Sequence, residues 1–200
     1  MKLVKMLVIT LLVLWFVGSG LVLTAQEPSK EEQEIMKKME AYAAPGANHK
    51  FLENYVGKWD AVAEMLNKPG EPPVESRQEI KMKMIMGGRY LTYSVKGAFM
   101  DMPFEGMMIT GYDNFKKKLI SVWVDSMGTG IYMTEGTFDE SGKIRTETGI
   151  WDDIVTGGKA KVKMIYKFVD KDKILFEMYM SGGMYGDKEF KTMEAAYTRV

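Results

Sequence analysis

Ile80-Lys81-Met82-Lys83-Met84-Ile85-Met86 is the stretch that decides the fold class. Taken in twos, Ile80, Met82, Met84 and Met86 share one face while Lys81 and Lys83 take the other. That is the pattern of a strand with one dry and one solvated side. It returns at 161–168, where Val162, Met164, Tyr166 and Phe168 oppose Lys161, Lys163 and Lys167. A further copy at 175–180 sets Phe176, Met178 and Met180 against Glu177. Working outward, strands are expected near 58–66, 74–86, 89–96, 104–111, 117–126, 130–138, 143–151, 160–169, 173–180 and 189–199. Turn-rich stretches separate them, among them Asn67-Lys68-Pro69-Gly70, Gly87-Gly88, Asp113-Asn114 and Gly128-Thr129-Gly130. No intervening segment is long enough for a crossover helix, so the sheet is antiparallel. The expected fold is therefore mainly β, an antiparallel up-and-down barrel of about ten strands.

Ahead of the strands the period is helical. Ser29 followed by Glu32 has the spacing of a capping box, and Ile35, Met36, Met39 and Tyr42 then form one helical stripe. Pro45-Gly46 ends that helix, and Asn48 is placed to cap a shorter one carrying Phe51, Leu52, Tyr55 and Val56. Two short helices covering one barrel mouth are expected. Residues 1–25 differ in kind: Lys2 and Lys5 precede a charge-free apolar run from Met6 to Phe16, and Ala25 offers a small residue before Gln26. They form an export signal, with an uncleaved membrane anchor over residues 6–25 as the alternative. The expected organisation is thus a signal at 1–25, a polar linker and helix at 26–46, and the barrel domain at 47–200. The protein is expected in the periplasm or outside the cell, touching membrane only through that first segment if it is retained.

Composition narrows the partners. The chain holds 27 basic and 27 acidic side chains. Two of the lysines lie in residues 1–25, leaving 25 basic against 27 acidic beyond them. Nucleic acid, which calls for a concentrated basic surface, is not an expected partner. There is no cysteine, so neither a disulfide framework nor a lipid-modified cysteine enters. An outer-membrane pore is disfavoured because its apolar strand faces would meet lipid while the lysines lined the lumen.

Gly57-Lys58-Trp59, following a short helix, resembles the Gly-x-Trp start of lipocalin-type, calycin-like barrels, in which the tryptophan plugs one end. Further stretches resemble an uncharacterised bacterial family, domain-of-unknown-function family 1579. They are Gly87-Gly88-Arg89-Tyr90-Leu91, Met102-Pro103-Phe104-Glu105-Gly106, Gly111-Tyr112-Asp113-Asn114, Trp123-Val124-Asp125-Ser126-Met127-Gly128-Thr129-Gly130 and Glu135-Gly136-Thr137. The resemblance covers residues 45–200. It implies a lipocalin-like barrel in an exported protein, and it brings no activity with it.

Among candidate site residues, methionine stands out, with 19 in the chain and 15 from Met65 onward. Flexible thioethers fill irregular interiors and also suit a hydrophobic guest of variable shape. Met82-x-Met84-x-Met86, Met100-x-Met102 and Met178-x-Met180 raise copper(I) as another use, although the pairs sit on separate strands. His49 is the one imidazole, which leaves no two-histidine metal site and no catalytic triad motif. On β alternation, Ser121, Trp123 and Asp125 share a face; if it points inward, Asp125 needs a partner, and Arg89 is the candidate. Glu135 and Glu147 are further inward-facing candidates.

The ligand-binding set expected from these patterns is Trp59, Met82, Met84, Arg89, Tyr93, Trp123, Asp125 and Glu135. No catalytic residue, metal or cofactor is assigned. The leading expectation is non-enzymatic binding of a small hydrophobic or amphipathic molecule in the barrel. The alternatives are an enzyme acting on a lipid-like substrate through an Arg89–Asp125 cluster, a methionine-rich copper-binding protein, or a filled barrel serving as an interaction module.

Overall fold

A sheet with one dry face must cover that face, and here it does so by closing on itself. The computed structural model describes residues 28–66, 72–99 and 102–200. The expected export signal and the Asn67–Gly70 turn lie outside them. Among the described residues two helices, α1 (Lys30–Ala43) and α2 (Ala47–Glu53), precede ten strands. The first five strands are β1 (Gly57–Met65), β2 (Val74–Ile85), β3 (Tyr90–Phe99), β4 (Met102–Asp113) and β5 (Lys118–Asp125). The rest are β6 (Tyr132–Phe138), β7 (Ile144–Asp152), β8 (Lys159–Asp170), β9 (Lys173–Gly182) and β10 (Phe190–Arg199). Each pairs antiparallel with its sequence neighbours, and β1 pairs with β10 to close the barrel. All ten expected strands are present.

Alternation sets the inside. Ile80, Met82, Val162, Met164, Tyr166, Phe176 and Met180 are buried, as their faces predict. Met86 is not: it is 70 % exposed, with φ 50°, because it opens the turn through Gly87 and Gly88 and falls out of strand register. The outer face is also less uniformly charged than the lysine pattern implies. Met107, Ile109 and Met133 lie on it, exposed, across β4 and β6.

The chain divides into two units, residues 1–37 and 38–200. In the first, the Ser29 hydroxyl accepts from the Glu32 amide at 3.2 Å and the Glu32 carboxylate accepts from the Ser29 amide at 2.8 Å, the expected capping box. None of the α1 residues is buried. In the second unit, the Asn114 amide donates to the carbonyls of Tyr42 and Ala44, both at 2.8 Å. Asp113 accepts from the amides of Phe115 and Lys116, the expected turn.

The start of α2 corrects an expectation. Its N-cap is Gly46, not Asn48, and His49 is the residue that reaches back, its Nδ1 accepting from the Gly46 amide at 2.9 Å. His49 is 4 % exposed and meets Tyr112 edge-on. Burial lowers its pKa below 6.5; the Tyr112 backbone acts the other way and the Arg89 charge adds to the lowering. The unfolded chain therefore takes up a proton at higher pH than the folded one. The cap contributes fully above pH 6.5, and stability falls as pH drops through that value toward the folded pKa. Denaturation followed between about pH 7.5 and 5.5 should show stability falling as the pH drops. His49→Gln, which keeps an acceptor of capping-box type, should flatten that slope.

Candidate functional site

The barrel interior is layered along its axis. At the α2 end Leu52, Tyr55, Trp59, Leu119 and Ile174 are all buried and close the barrel. The Trp59 indole donates to the Tyr55 carbonyl at 2.9 Å, and the Arg199 guanidinium lies over its ring at 4.0 Å from the centroid. Gly57, at φ 146°, is required here: a Cβ would stand 2.2 Å from the Arg199 Nη1.

Above that plug lies a polar girdle. Thr110, Ser121 and Thr134 are register partners across β4, β5 and β6, so their hydroxyls form one inward row. Facing them on β7, two residues apart, are Arg145 and Glu147, 1 % and 0 % exposed and paired at 2.7 Å. The Arg145 Nη2 donates to the Thr110 and Ser121 hydroxyls, each at 2.9 Å. Ser121 donates to one oxygen of Glu147 at 3.0 Å and Thr134 to the other at 2.6 Å. Thr110 and Ser121 also lie 2.7 Å apart, which accounts for all three hydroxyls. The Arg145 guanidinium sits over the Tyr166 ring at 4.6 Å. Burial opposes its charge, but Glu147 and Tyr166 more than offset that, and its pKa stands above the ordinary value. The girdle is thus neutral as a whole and satisfied. Gly136 makes room for it: a Cβ there would stand 2.7 Å from the Glu147 Cγ and 1.9 Å from the Thr146 carbonyl.

Beyond the girdle, toward the other end, is a cavity of about 290 Å³. Of its 20 lining residues nine are aromatic and six are methionines, so thioether and ring surface make most of its wall. Four of those methionines form a single row, since Met65 pairs with Met193, Met193 with Met178 and Met178 with Met164 across four strands. Such a wall is soft and can reshape. Its floor is Ser121, Thr134 and Tyr166. Burial raises the pKa of Tyr93, Tyr166 and Tyr197, so these hydroxyls stay neutral. At the mouth Phe104 stacks on Trp123, Tyr93 meets Trp123 edge-on, and Tyr132 lies against Trp151. Gly106 permits the first of these contacts, because a Cβ would collide with the Trp123 ring at 2.3 Å.

Of the expected set, the structure brings together Tyr93, Trp123 and Asp125, all lining the cavity. Met82 is buried and Met84 half-buried in the core wall. Trp59 belongs to the plug at the far end, and Glu135 lies on the outside, 3.1 Å from Lys118. The expected Arg89–Asp125 pair does not form. Asp125 accepts from the Trp123 indole at 2.6 Å and from the Met127 amide at 2.9 Å. Arg89 sits in the turn before β3, donates to the Met86 carbonyl at 3.1 Å, and lines an outer depression with His49 and Tyr112. Tyr90 pairs with Gly111 and Asp125 with Gly106, five residues apart on β4, a separation of about 17 Å along the strand. Glu147, an expected inward candidate, is buried in the girdle, whereas Arg145 is not among the expected residues, although it shares its strand face with Glu147, Gly149 and Trp151.

Comparison with known proteins agrees with this geometry. The model of a family described as protein of unknown function (DUF1579) matches residues 44–199. No curated protein matches the chain. Among solved structures, Rv2717c from M. tuberculosis is 15% identical, with 78% of this chain and 99% of that chain covered and a TM-score of 0.57. The S-type phycobiliprotein lyase CPES from Guillardia theta is 13% identical, with 82% and 96% covered and a TM-score of 0.56. At such identities the likeness is one of fold, a lipocalin-like barrel. With its Gly106 and Gly136 stretches each explained by a close contact inside the barrel, and with the match running over nearly all of the described strands, the chain belongs to the DUF1579 family of proteins of unknown function.

Proposed function

We propose that this barrel binds a small hydrophobic or amphipathic molecule without transforming it. The observation that carries this is the cavity, about 290 Å³ of space walled by aromatic rings and methionines above a hydroxyl-bearing floor. Filled barrels put side chains where this one leaves room, and small-molecule sites combine apolar walls with a few placed polar groups. An engineered apolar cavity of about 150 Å³ takes one benzene, so this one suits roughly a dozen non-hydrogen atoms. The enzyme alternative rested on an Arg89–Asp125 cluster that the fold keeps apart. That one solved relative in fold is a phycobiliprotein lyase supports a barrel able to take small molecules.

Native mass spectrometry of the protein isolated from its own cells should show a retained small molecule. Met178→Trp places an indole in the cavity wall. It should reduce the binding of an apolar fluorescent probe at least about tenfold, or 1.4 kcal/mol, while the circular dichroism stays that of the parent. A filled variant that binds the probe as well as the parent would move the site elsewhere.

A further inference from the structure

We propose that the guest is a small organic cation, a protonated amine or quaternary ammonium on an apolar body, held with its charge at the mouth beside Asp125 and within the surrounding aromatic rings. This rests on the cavity-binding reading above and names the chemistry of the same site.

Three observations carry it. First, Asp125 is the sole charged side chain lining the cavity among the described residues, and no lysine, arginine or histidine joins it. Second, the one cation beneath the floor is already committed: Arg145 is paired with Glu147 at 2.7 Å and bonded to Thr110 and Ser121, with Tyr166 against its face. A guest carboxylate entering the barrel therefore meets no free positive partner, and it exchanges water for ring faces that repel it. Third, the rings at the mouth present what a cation seeks. Trp123 is flanked by Phe104 at 6.4 Å and Tyr93 at 6.0 Å between centroids, and Tyr132 and Trp151 form a second pair at 4.8 Å.

The Trp123–Asp125 hydrogen bond of 2.6 Å ties the two halves of the recognition together. Donation of the indole N–H to a carboxylate leaves more electron density on the ring, which strengthens its attraction for a cation. The carboxylate is itself held in place by that bond and by the Met127 amide, so little ordering remains for the guest to impose. Aromatic walls with one anionic group are the usual means of recognising alkylammonium groups. The methionine row opposite accommodates the apolar body.

Three probes of nearly equal size separate the charge from the body: octyltrimethylammonium, 1-undecanol and decanoate. Binding is followed by calorimetry and by quenching of the cavity tryptophans in the full protein near pH 7.5. Octyltrimethylammonium should bind at least about tenfold more tightly than either of the others. Asp125→Asn, which keeps an acceptor for the Trp123 indole, should remove that advantage and leave 1-undecanol unchanged, which also shows that the variant is folded. Decanoate binding as well as the ammonium, or an ammonium preference untouched by Asp125→Asn, would overturn the inference. Binding of 1-undecanol alone would overturn it while leaving the cavity reading standing. Failure of all three would end both.

Discussion

Glu147→Leu should destabilise the barrel by about 3–5 kcal/mol, because it leaves the Arg145 guanidinium buried without its counter-charge. The magnitude follows from burial: the two side chains are 1% and 0% exposed, so water cannot take over for the missing carboxylate. Thr134 loses its acceptor in the same step, and Ser121 loses the oxygen to which it donates. Against a total stability of about 5–15 kcal/mol for an ordinary domain, the variant is left marginal. The double variant Arg145→Leu with Glu147→Leu should recover most of the loss. Removing both charges removes the desolvation cost of each, and Thr110 and Ser121 still have one another at 2.7 Å. Equilibrium denaturation of the parent, the single and the double variant measures both effects. A single variant within about 1 kcal/mol of the parent would mean that the girdle does not hold the interior in the way its geometry implies.

The girdle also marks the boundary of what the sequence makes legible. Alternation along one strand is visible in the chain, and it places ten strands and the inward faces of β2, β8 and β9. On β7 Glu147 is expected to face inward and does, but Arg145, two residues before it, is missed, because a charge alternating with Ile144 and Thr146 looks like the wet side. Only Gly149 and Trp151, two and four residues beyond Glu147 on the same face, point the other way. Glu135 fails for a related reason. It shares a face with Met133, whose thioether reads as interior, yet Met133 is 54 % exposed on the outside. Arg89 fails because alternation from Leu91 and Tyr93 does not extend backward through a turn with positive φ at Met86, Gly87 and Gly88. What runs across strands is invisible to one-strand patterns altogether. The hydroxyl row of Thr110, Ser121 and Thr134 and the methionine row from Met65 to Met164 exist only once pairing register is fixed. Trp123 and Asp125 were found because both features lie on one strand, two residues apart.

At the closed end the expected cost is similar and binding should be spared. Trp59→Ala should destabilise the protein by about 3–5 kcal/mol, the range for removing a buried aromatic side chain. The ring is 1% exposed, and the structure around it is built to keep it there. Arg199 covers its outer face at 4.0 Å and donates to the Val56 carbonyl at 2.5 Å, the Asn54 carbonyl at 3.2 Å and the Lys171 carbonyl at 2.5 Å. One side chain from β10 thus ties the exit of α2 to the β8–β9 turn across the indole, and all of that loses its support when the ring is removed. Trp59→Phe keeps most of the buried surface but orphans the Tyr55 carbonyl, so a smaller loss of about 1–3 kcal/mol is expected. Arg199→Lys should also weaken the plug, since an ammonium cannot stack on the ring while bonding three carbonyls in a plane. None of these changes touches the cavity wall, which lies beyond the girdle. Probe affinity, measured where the variants remain folded, should therefore stay within about twofold of the parent even as the denaturation midpoint falls. Loss of affinity in parallel with stability would instead mean that the plug and the cavity are one cooperative site, and that Trp59 takes part in holding the guest.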